Sequence, residues 1–167
     1  PNSFDRRSMY ECTQWFADRA DKKGLPITGV AINVNDYIRK WDQPGVKAQY
    51  QKRMREDLKR YRNNPSIVMW CNSGNFFGHK EDQNPRVIGR RDWETDNAYA
   101  RRNAKRGEEA IAMIKLADPT RPVFTHQGGN VGDVNTVNNY LNLIQTQEVE
   151  EWLSEWSENG NMPFFAV

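Results

Sequence analysis

Features that define several large classes of protein are scarce or absent in this sequence of 167 residues. The two cysteines, Cys12 and Cys71, are too few for a disulfide framework. No apolar run approaches the roughly 20 residues of a membrane-spanning helix, so we do not expect an integral membrane protein. The chain begins at Pro1 without a basic-then-apolar leader. We therefore expect a mature, cleaved or excised chain, and the compartment stays open between secreted, periplasmic and others.

The charge is also modest. Lys plus Arg number 24 and Asp plus Glu number 22, and the resulting net charge of +2 does not by itself indicate a nucleic-acid-binding protein. The mean hydropathy of −0.93 is low, but six Trp, seven Phe and six Tyr argue against disorder. Without repeats or low-complexity tracts, we expect residues 1–167 to form one domain.

Stripes of helical spacing alternate with short apolar runs along the chain. The predicted helices cover residues 8–22, 44–62, 96–116 and 146–158, and the predicted strands cover residues 25–34, 66–71, 123–126, 137–144 and 163–167. This alternation is typical of βαβ units and a parallel sheet. About five strands are fewer than the eight of a closed (β/α)₈ barrel of ~250 residues. The fold class is therefore α/β, either a small open domain or part of a barrel.

Apolar positions within these segments predict the core. Phe16 and Ala20 belong to the stripe of the first helix, and the last helix carries Trp152 and Trp156 on one face. Trp70 and Cys71 lie in the wholly apolar run SIVMWC, which is typical of a strand covered on both faces. The polar segment 35–43 is expected to be a loop.

The run YRNNPSIVMW, from Tyr61 to Trp70, is followed by Gly74-Asn75. Four further segments come in a fixed order around it: Gly24-Leu25-Pro26, Asp118-Pro119-Thr120-Arg121-Pro122-Val123, Asp133 with Asn138-Asn139-Tyr140, and residues 161–167. This ordered set resembles the TIM-barrel domain of the family 2 glycoside hydrolases, the group of β-galactosidases, β-glucuronidases and β-mannosidases. The resemblance covers nearly the whole chain.

The resemblance implies a partial (β/α)₈ barrel, from about the third strand to the seventh with their helices. The first, second and eighth units, and the β-sandwich domains that precede the barrel in the family, would lie outside this sequence. An open barrel exposes unpaired strand edges. We therefore expect either the remainder of a longer chain or an oligomer partner to cover them.

The resemblance also implies retaining hydrolysis of a β-linked glycoside by two carboxyl groups roughly 5 Å apart. Phe76 stands where the acid/base Glu follows Gly-Asn in the family, and the nucleophilic Glu would be expected just after Val167. The active-site candidates are Asn75, which is alternatively a turn residue, and Tyr140, which is alternatively a packed strand aromatic. Asp82 is a candidate replacement acid, or a solvated loop charge. A carbohydrate-binding relative without hydrolytic activity is the alternative function.

Four further residues are candidates for sugar contacts. Asn72 and His126 follow predicted strands, His79 lies in the long segment 72–91, and Trp41 follows the first strand, where its ring can stack on a pyranose. The alternative for both histidines is a hydrogen-bonded structural role.

Nothing in the sequence indicates a cofactor, a metal or a nucleic acid. Two histidines without spaced carboxylates are a poor metal pattern, and Gly128-Gly129 lacks the spacing of a dinucleotide fingerprint. The basic helix from Lys47 to Arg62 is interpreted as the solvated outer face of a barrel helix, with a phosphate-contacting surface as the alternative.

Overall fold

The structure, a computed structural model, describes residues 6–31, 34–73, 97–126, 131–137, 145–151 and 153–166. The helices of the described part are α1 (Arg6–Lys23), α2 (Asn35–Ile38), α3 (Val46–Tyr61), α4 (Ala98–Ala117), α5 (Thr146–Glu151) and α6 (Ser154–Asn159). The strands are β1 (Ile27–Ala31), β2 (Ile67–Cys71), β3 (Val123–Phe124), β4 (Asn135–Val137) and β5 (Phe164–Ala166). None of these helices has both the length and the apolar character needed to cross a membrane.

Every strand pair in the described residues is parallel. A three-stranded sheet has the order β1-β2-β3, and β4 pairs with β5 in a second sheet. The two sheets are joined where the Thr136 hydroxyl donates to the Thr125 carbonyl over 2.6 Å. Phe124 and Phe165 also pack edge to face, with ring centroids 5.2 Å apart. The predicted α/β class with parallel strands is confirmed.

The side chains of β2 separate two apolar clusters because successive residues of a strand face opposite sides. Trp70 is fully buried among side chains of α3 and α4, including Met54 and Ile114. Its neighbour Cys71 packs on the other side with Phe124 and Val134. The carboxyl end of β2 is thus covered on both faces, as the apolar run SIVMWC predicted, whereas Val68 nearer its start is 40 % exposed.

Three sequence expectations in the amino-terminal half need correction. Phe16 is 55 % exposed, because α1 buries Ala17 and Ala20 instead. In the described residues, the strand predicted over 25–34 is β1 (Ile27–Ala31), and Leu25, Pro26 and Val34 do not belong to it; residues 32–33 lie outside the described part. The expected loop 35–43 contains the short helix α2, which buries Ile38.

The carboxyl-terminal half departs from expectation in two places. The single predicted helix after Thr146 is two helices, α5 and α6, and Leu153 between them is 43 % exposed. Trp156 is half-buried, and its indole donates to the Met162 carbonyl over 3.1 Å. The strand predicted over 137–144 begins earlier, as β4, and residues 138–144 lie outside the described part, as does Trp152.

Candidate functional site

The carboxyl ends of β1, β2 and β3 meet at one edge of the sheet. Just after β2, the backbone amide of Val34 donates to the backbone carbonyl of Asn72 over 3.0 Å. The backbone amide of Asn72 in turn donates to the backbone carbonyl of Phe124 over 2.8 Å. One residue further, the His126 amide donates to the Ser73 carbonyl over 3.0 Å. This edge, which we call the strand-end rim, consists of Asn72, Ser73 and His126. Active sites of parallel barrels lie at this end of the strands.

Asn72 is a fully buried residue of the rim. Its side-chain oxygen accepts a long hydrogen bond of 3.4 Å from the Tyr50 hydroxyl of α3, and burial raises the pKa of Tyr50. Its amide nitrogen has no hydrogen-bond partner within the described part of the chain. A covered side chain that faces a helix fits a role in holding the strand end. The direct sugar contact expected for Asn72 is therefore not favoured by its place in the structure.

Ser73 is a rim residue that sequence reasoning missed. It is fully buried, and its hydroxyl has no partner among the described residues. Its carbonyl accepts from both the His126 amide and the Cys71 thiol, the latter over 3.2 Å. The only sequence signal for Ser73 was its position directly after a buried strand.

Cys71 is the buried thiol that the sequence predicted. The side chain is 7 % exposed, and burial raises the pKa of Cys71 to about 11. The thiol therefore stays protonated at neutral pH. Because the thiolate is the nucleophilic form, Cys71 is not suited to covalent catalysis.

Trp41 does not have the exposed ring that stacking on a sugar requires. Its ring is fully buried and packs against Tyr50, with centroids 5.2 Å apart. The indole donates to Glu109 of α4 over 2.8 Å, and Lys47 binds the same carboxylate at 2.6 Å. The hydrogen bonds from Lys47 and Trp41 lower the pKa of Glu109. The expectation of a sugar-stacking Trp41 is wrong because these contacts draw the ring into the core.

His126 is half-buried at the rim, next to the fully buried Thr125. Its backbone is fixed by Ser73, and a sugar contact by its side chain stays a prediction. The other candidates, Asn75, His79, Asp82 and Tyr140, lie outside the described residues, as does Phe76. Within the described ranges, no group of three His, Cys, Asp or Glu side chains could hold a metal ion.

Parallel strands separated by helices, with polar groups at the carboxyl ends, occur both in TIM-barrel domains and in open α/β sheets. The family model for "Glycosyl hydrolases family 2, TIM barrel domain" matches residues 12–166. The chain belongs to glycosyl hydrolase family 2, as the sequence resemblance predicted. A search of curated proteins finds no match to this chain.

Two solved structures of one enzyme support the same fold. Two structures of a family 2 β-galacturonidase from Eisenbergiella tayi, bound to galacturonate and to glycerol, each match 91 % of this chain with 19 % identity and a TM-score of 0.58. A β-D-glucuronidase structure for Dictyoglomus thermophilum matches 72 % of the chain and 20 % of its own length, with 20 % identity and a TM-score of 0.47. This chain covers 26 % of each β-galacturonidase chain, about a quarter of its length.

Proposed function

We propose that this chain is the central part of the catalytic barrel of a β-glycoside hydrolase, with β1 to β5 as the third to seventh barrel strands. The support is the run of parallel pairs in chain order, β1-β2-β3 and then β4-β5. The hydrogen bond from Thr136 to Thr125 places β4 beside the end of β3. The remainder of a longer chain, or a second subunit, then covers the open strand edges.

The observation that carries the proposal is the strand-end rim, because it leads directly into Gly74-Asn75. Hydrogen bonds from Val34 and to Phe124 fix Asn72 on both sides, so the segment that follows starts from a rigid strand end. In the proposed site, the side-chain amide of Asn75 donates to the sugar hydroxyl next to the anomeric carbon. Such a contact strengthens as the transition state forms.

The proposed chemistry is retaining hydrolysis. An acid protonates the glycosidic oxygen while a carboxylate attacks the anomeric carbon, so the glycosidic bond breaks and the leaving group departs as an alcohol. The deprotonated acid then takes a proton from water, and the water oxygen displaces the carboxylate and releases the sugar. Phe76 cannot transfer a proton, so we assign the acid to Asp82. Tyr140 donates to the nucleophilic carboxylate, which is expected just after Val167, and so favours its ionised form. His79 and His126 are assigned to sugar hydroxyls.

The test is hydrolysis by the full-length protein of a panel of aryl β-glycosides, with galactosides, mannosides, glucuronides and galacturonides included. We expect turnover of at least one glycoside, with the β-anomer as the first product in proton NMR spectra. Asn75→Ala should lower kcat/KM by about 100-fold or more, since the lost contact is worth several kcal/mol in the transition state. Glu150→Gln, at an exposed residue of α5, is the control and should leave kcat/KM unchanged.

The acid role of Asp82 has its own test. Asp82→Asn should slow a methyl glycoside far more than a dinitrophenyl glycoside, because the dinitrophenolate leaves without protonation. Equal losses on the two substrates would remove Asp82 from this role.

A carbohydrate-binding relative without hydrolysis is the second candidate, and Phe76 at the acid position favours it. Saturable binding of a glycoside without any turnover would support this candidate over the first. Calorimetric titration with the same panel, beside the turnover assay, distinguishes the two functions.

A further inference from the structure

A concave basic surface lies between α3 and α4, at the end of the sheet opposite the strand-end rim. The cavity has a volume of about 630 Å³, a size typical of small-molecule sites. Asn63 and the segment 118–121, which line it, precede β2 and β3 respectively, whereas the rim follows these strands. We call this surface the basic groove. Its lining includes Arg55, Lys59, Arg62, Leu116, Asp118 and Arg121.

Three cationic side chains, two in α3 and one at the cap residue directly after it, face the groove. Arg55, Lys59 and Arg62 are spaced four and three residues apart, which puts them on one side of the helix. All three are exposed, and none of the hydrogen bonds or ion pairs among the described residues involves one of their side chains; the Arg62 carbonyl, a backbone group, accepts one from Arg121. By contrast, Arg53 on another side of the helix is paired with the buried Asp57 at 3.0 Å. The charges facing the groove are therefore uncompensated by the described part of the chain.

The acidic residue in the lining does not offset these charges. The two oxygens of Asp118 accept hydrogen bonds from Trp70 at 2.9 Å, from Arg121 at 2.9 Å and from the Thr120 amide at 3.0 Å. Arg121 is held by the carbonyls of Ile67 and Arg62 as well, at 2.7 and 2.8 Å. The charges on the floor of the groove are thus paired with one another, and the net positive charge comes from Arg55 and Lys59 of α3 and from its cap residue Arg62.

We propose that the basic groove binds a phosphate or sulfate ester of a small organic molecule. Guanidinium groups match the oxygens of such an anion in pairs, and Arg55 and Arg62 flank Lys59 along one side. The cavity leaves room for an organic body beyond the anionic group. Leu116, which is 80 % exposed at the lining, provides an apolar surface for that body.

The experiment is calorimetric titration of the full-length protein with glucose 6-phosphate and glucose 6-sulfate. Glucose, inorganic phosphate and inorganic sulfate are the comparison ligands. We expect saturable binding of the esters, at least tenfold weaker binding of the free ions, and none of glucose at this site. If the free ions bind as tightly as the esters, the organic body plays no part and the ester proposal is overturned.

Two triple variants separate a specific site from general charge. R55Q/K59Q/R62Q removes the groove cations, and K40Q/K52Q/K105Q removes three exposed lysines that do not line the groove. We expect the first variant to weaken ester binding more than tenfold and the second less than twofold. Equal losses would show that only net charge matters, and no saturable binding by the unmodified protein would refute the site. Thermal unfolding of both variants checks that each remains folded.

Discussion

Trp70 of β2 and Asp118, directly after α4, are joined by a hydrogen bond of 2.9 Å from the indole nitrogen to a carboxylate oxygen. Arg121 donates to the same oxygen, and its guanidinium carbon lies 5.2 Å from the centre of the Trp70 ring. The turn between α4 and β3 is thereby fixed to the central strand. Because Asp118 is 7 % exposed, its charge depends on these partners.

Replacing Asp118 by Ala should strongly destabilise the protein. The change leaves the Trp70 indole and the Arg121 guanidinium without their acceptor in a buried setting, which we expect to cost about 3 kcal/mol. Urea denaturation measures the change in the free energy of unfolding. Glu150→Ala, at an exposed acidic residue, is the control and should lie within about 0.5 kcal/mol of the parent protein. A loss as small as that of the control would contradict the role of Asp118.

The same carboxylate should make stability depend on pH. Burial opposes ionisation, but hydrogen bonds from Thr120, Trp70 and Arg121 outweigh it and lower the pKa of Asp118 from 3.8 to about 2. Because the folded value is the lower one, the stabilisation reaches its full value above about pH 5, is still largely present at pH 3.8 and is lost as pH falls towards 2. It is worth about 2 kcal/mol at neutral pH and roughly half of that near pH 3.

The measurement compares the unfolding free energy of the parent protein with that of Asp118→Asn, which cannot titrate at this position. The difference should be constant above about pH 5 and shrink as pH falls to about 3. A difference that does not change with pH would mean that Asp118 has an ordinary pKa in the folded protein.

The sequence predicted correctly those helices and strands in which the spacing of apolar residues along the chain determines which side chains are buried. The helix predicted over 44–62 is α3, which buries Tyr50, Met54, Leu58 and Tyr61 at helical spacing, and the apolar run of β2 is a central strand. Trp41 was misassigned because its neighbours in sequence are polar, whereas its burial comes from Tyr50 and Glu109, nine and 68 residues away. Phe16 shows the converse error, since a helical stripe does not reveal which apolar side chains meet the sheet.

If Trp41 is a core residue, replacing it should lower stability without changing substrate binding, whereas replacing a sugar-stacking residue should raise KM. Trp41→Phe removes the hydrogen bond to Glu109 and part of a buried ring, and should cost about 2 kcal/mol of unfolding free energy. Trp15→Phe is the control, because Trp15 is 61 % exposed. We expect KM for a glycoside substrate to stay within about twofold in both variants. A many-fold rise in KM with unchanged stability would restore the stacking role.

Gly132 permits the tight turn that leads into β4. Its φ is +106°, and a Cβ added there would overlap the carbonyl oxygen of Val123. Gly45 also has a positive φ, +81°, but an added Cβ would meet nothing. Gly132→Ala should therefore cost about 3 kcal/mol or more, from strain and overlap together, and Gly45→Ala only about 1 kcal/mol, from strain alone. Equal changes in the thermal unfolding midpoint would argue against this close approach.

Removing either of two buried hydroxyls near the strand ends should change the stability of the protein, but in opposite directions. The Ser73 hydroxyl is fully covered and has no partner in the described part of the chain, so Ser73→Ala removes an uncompensated polar group. We expect stability to be unchanged or raised by up to about 1 kcal/mol. The Thr136 hydroxyl donates to the Thr125 carbonyl over 2.6 Å, so Thr136→Val should lower stability by about 1 kcal/mol or more. Thermal unfolding of the two variants measures the contrast, and an equal loss in both would mean that Ser73 has a partner that holds the rim.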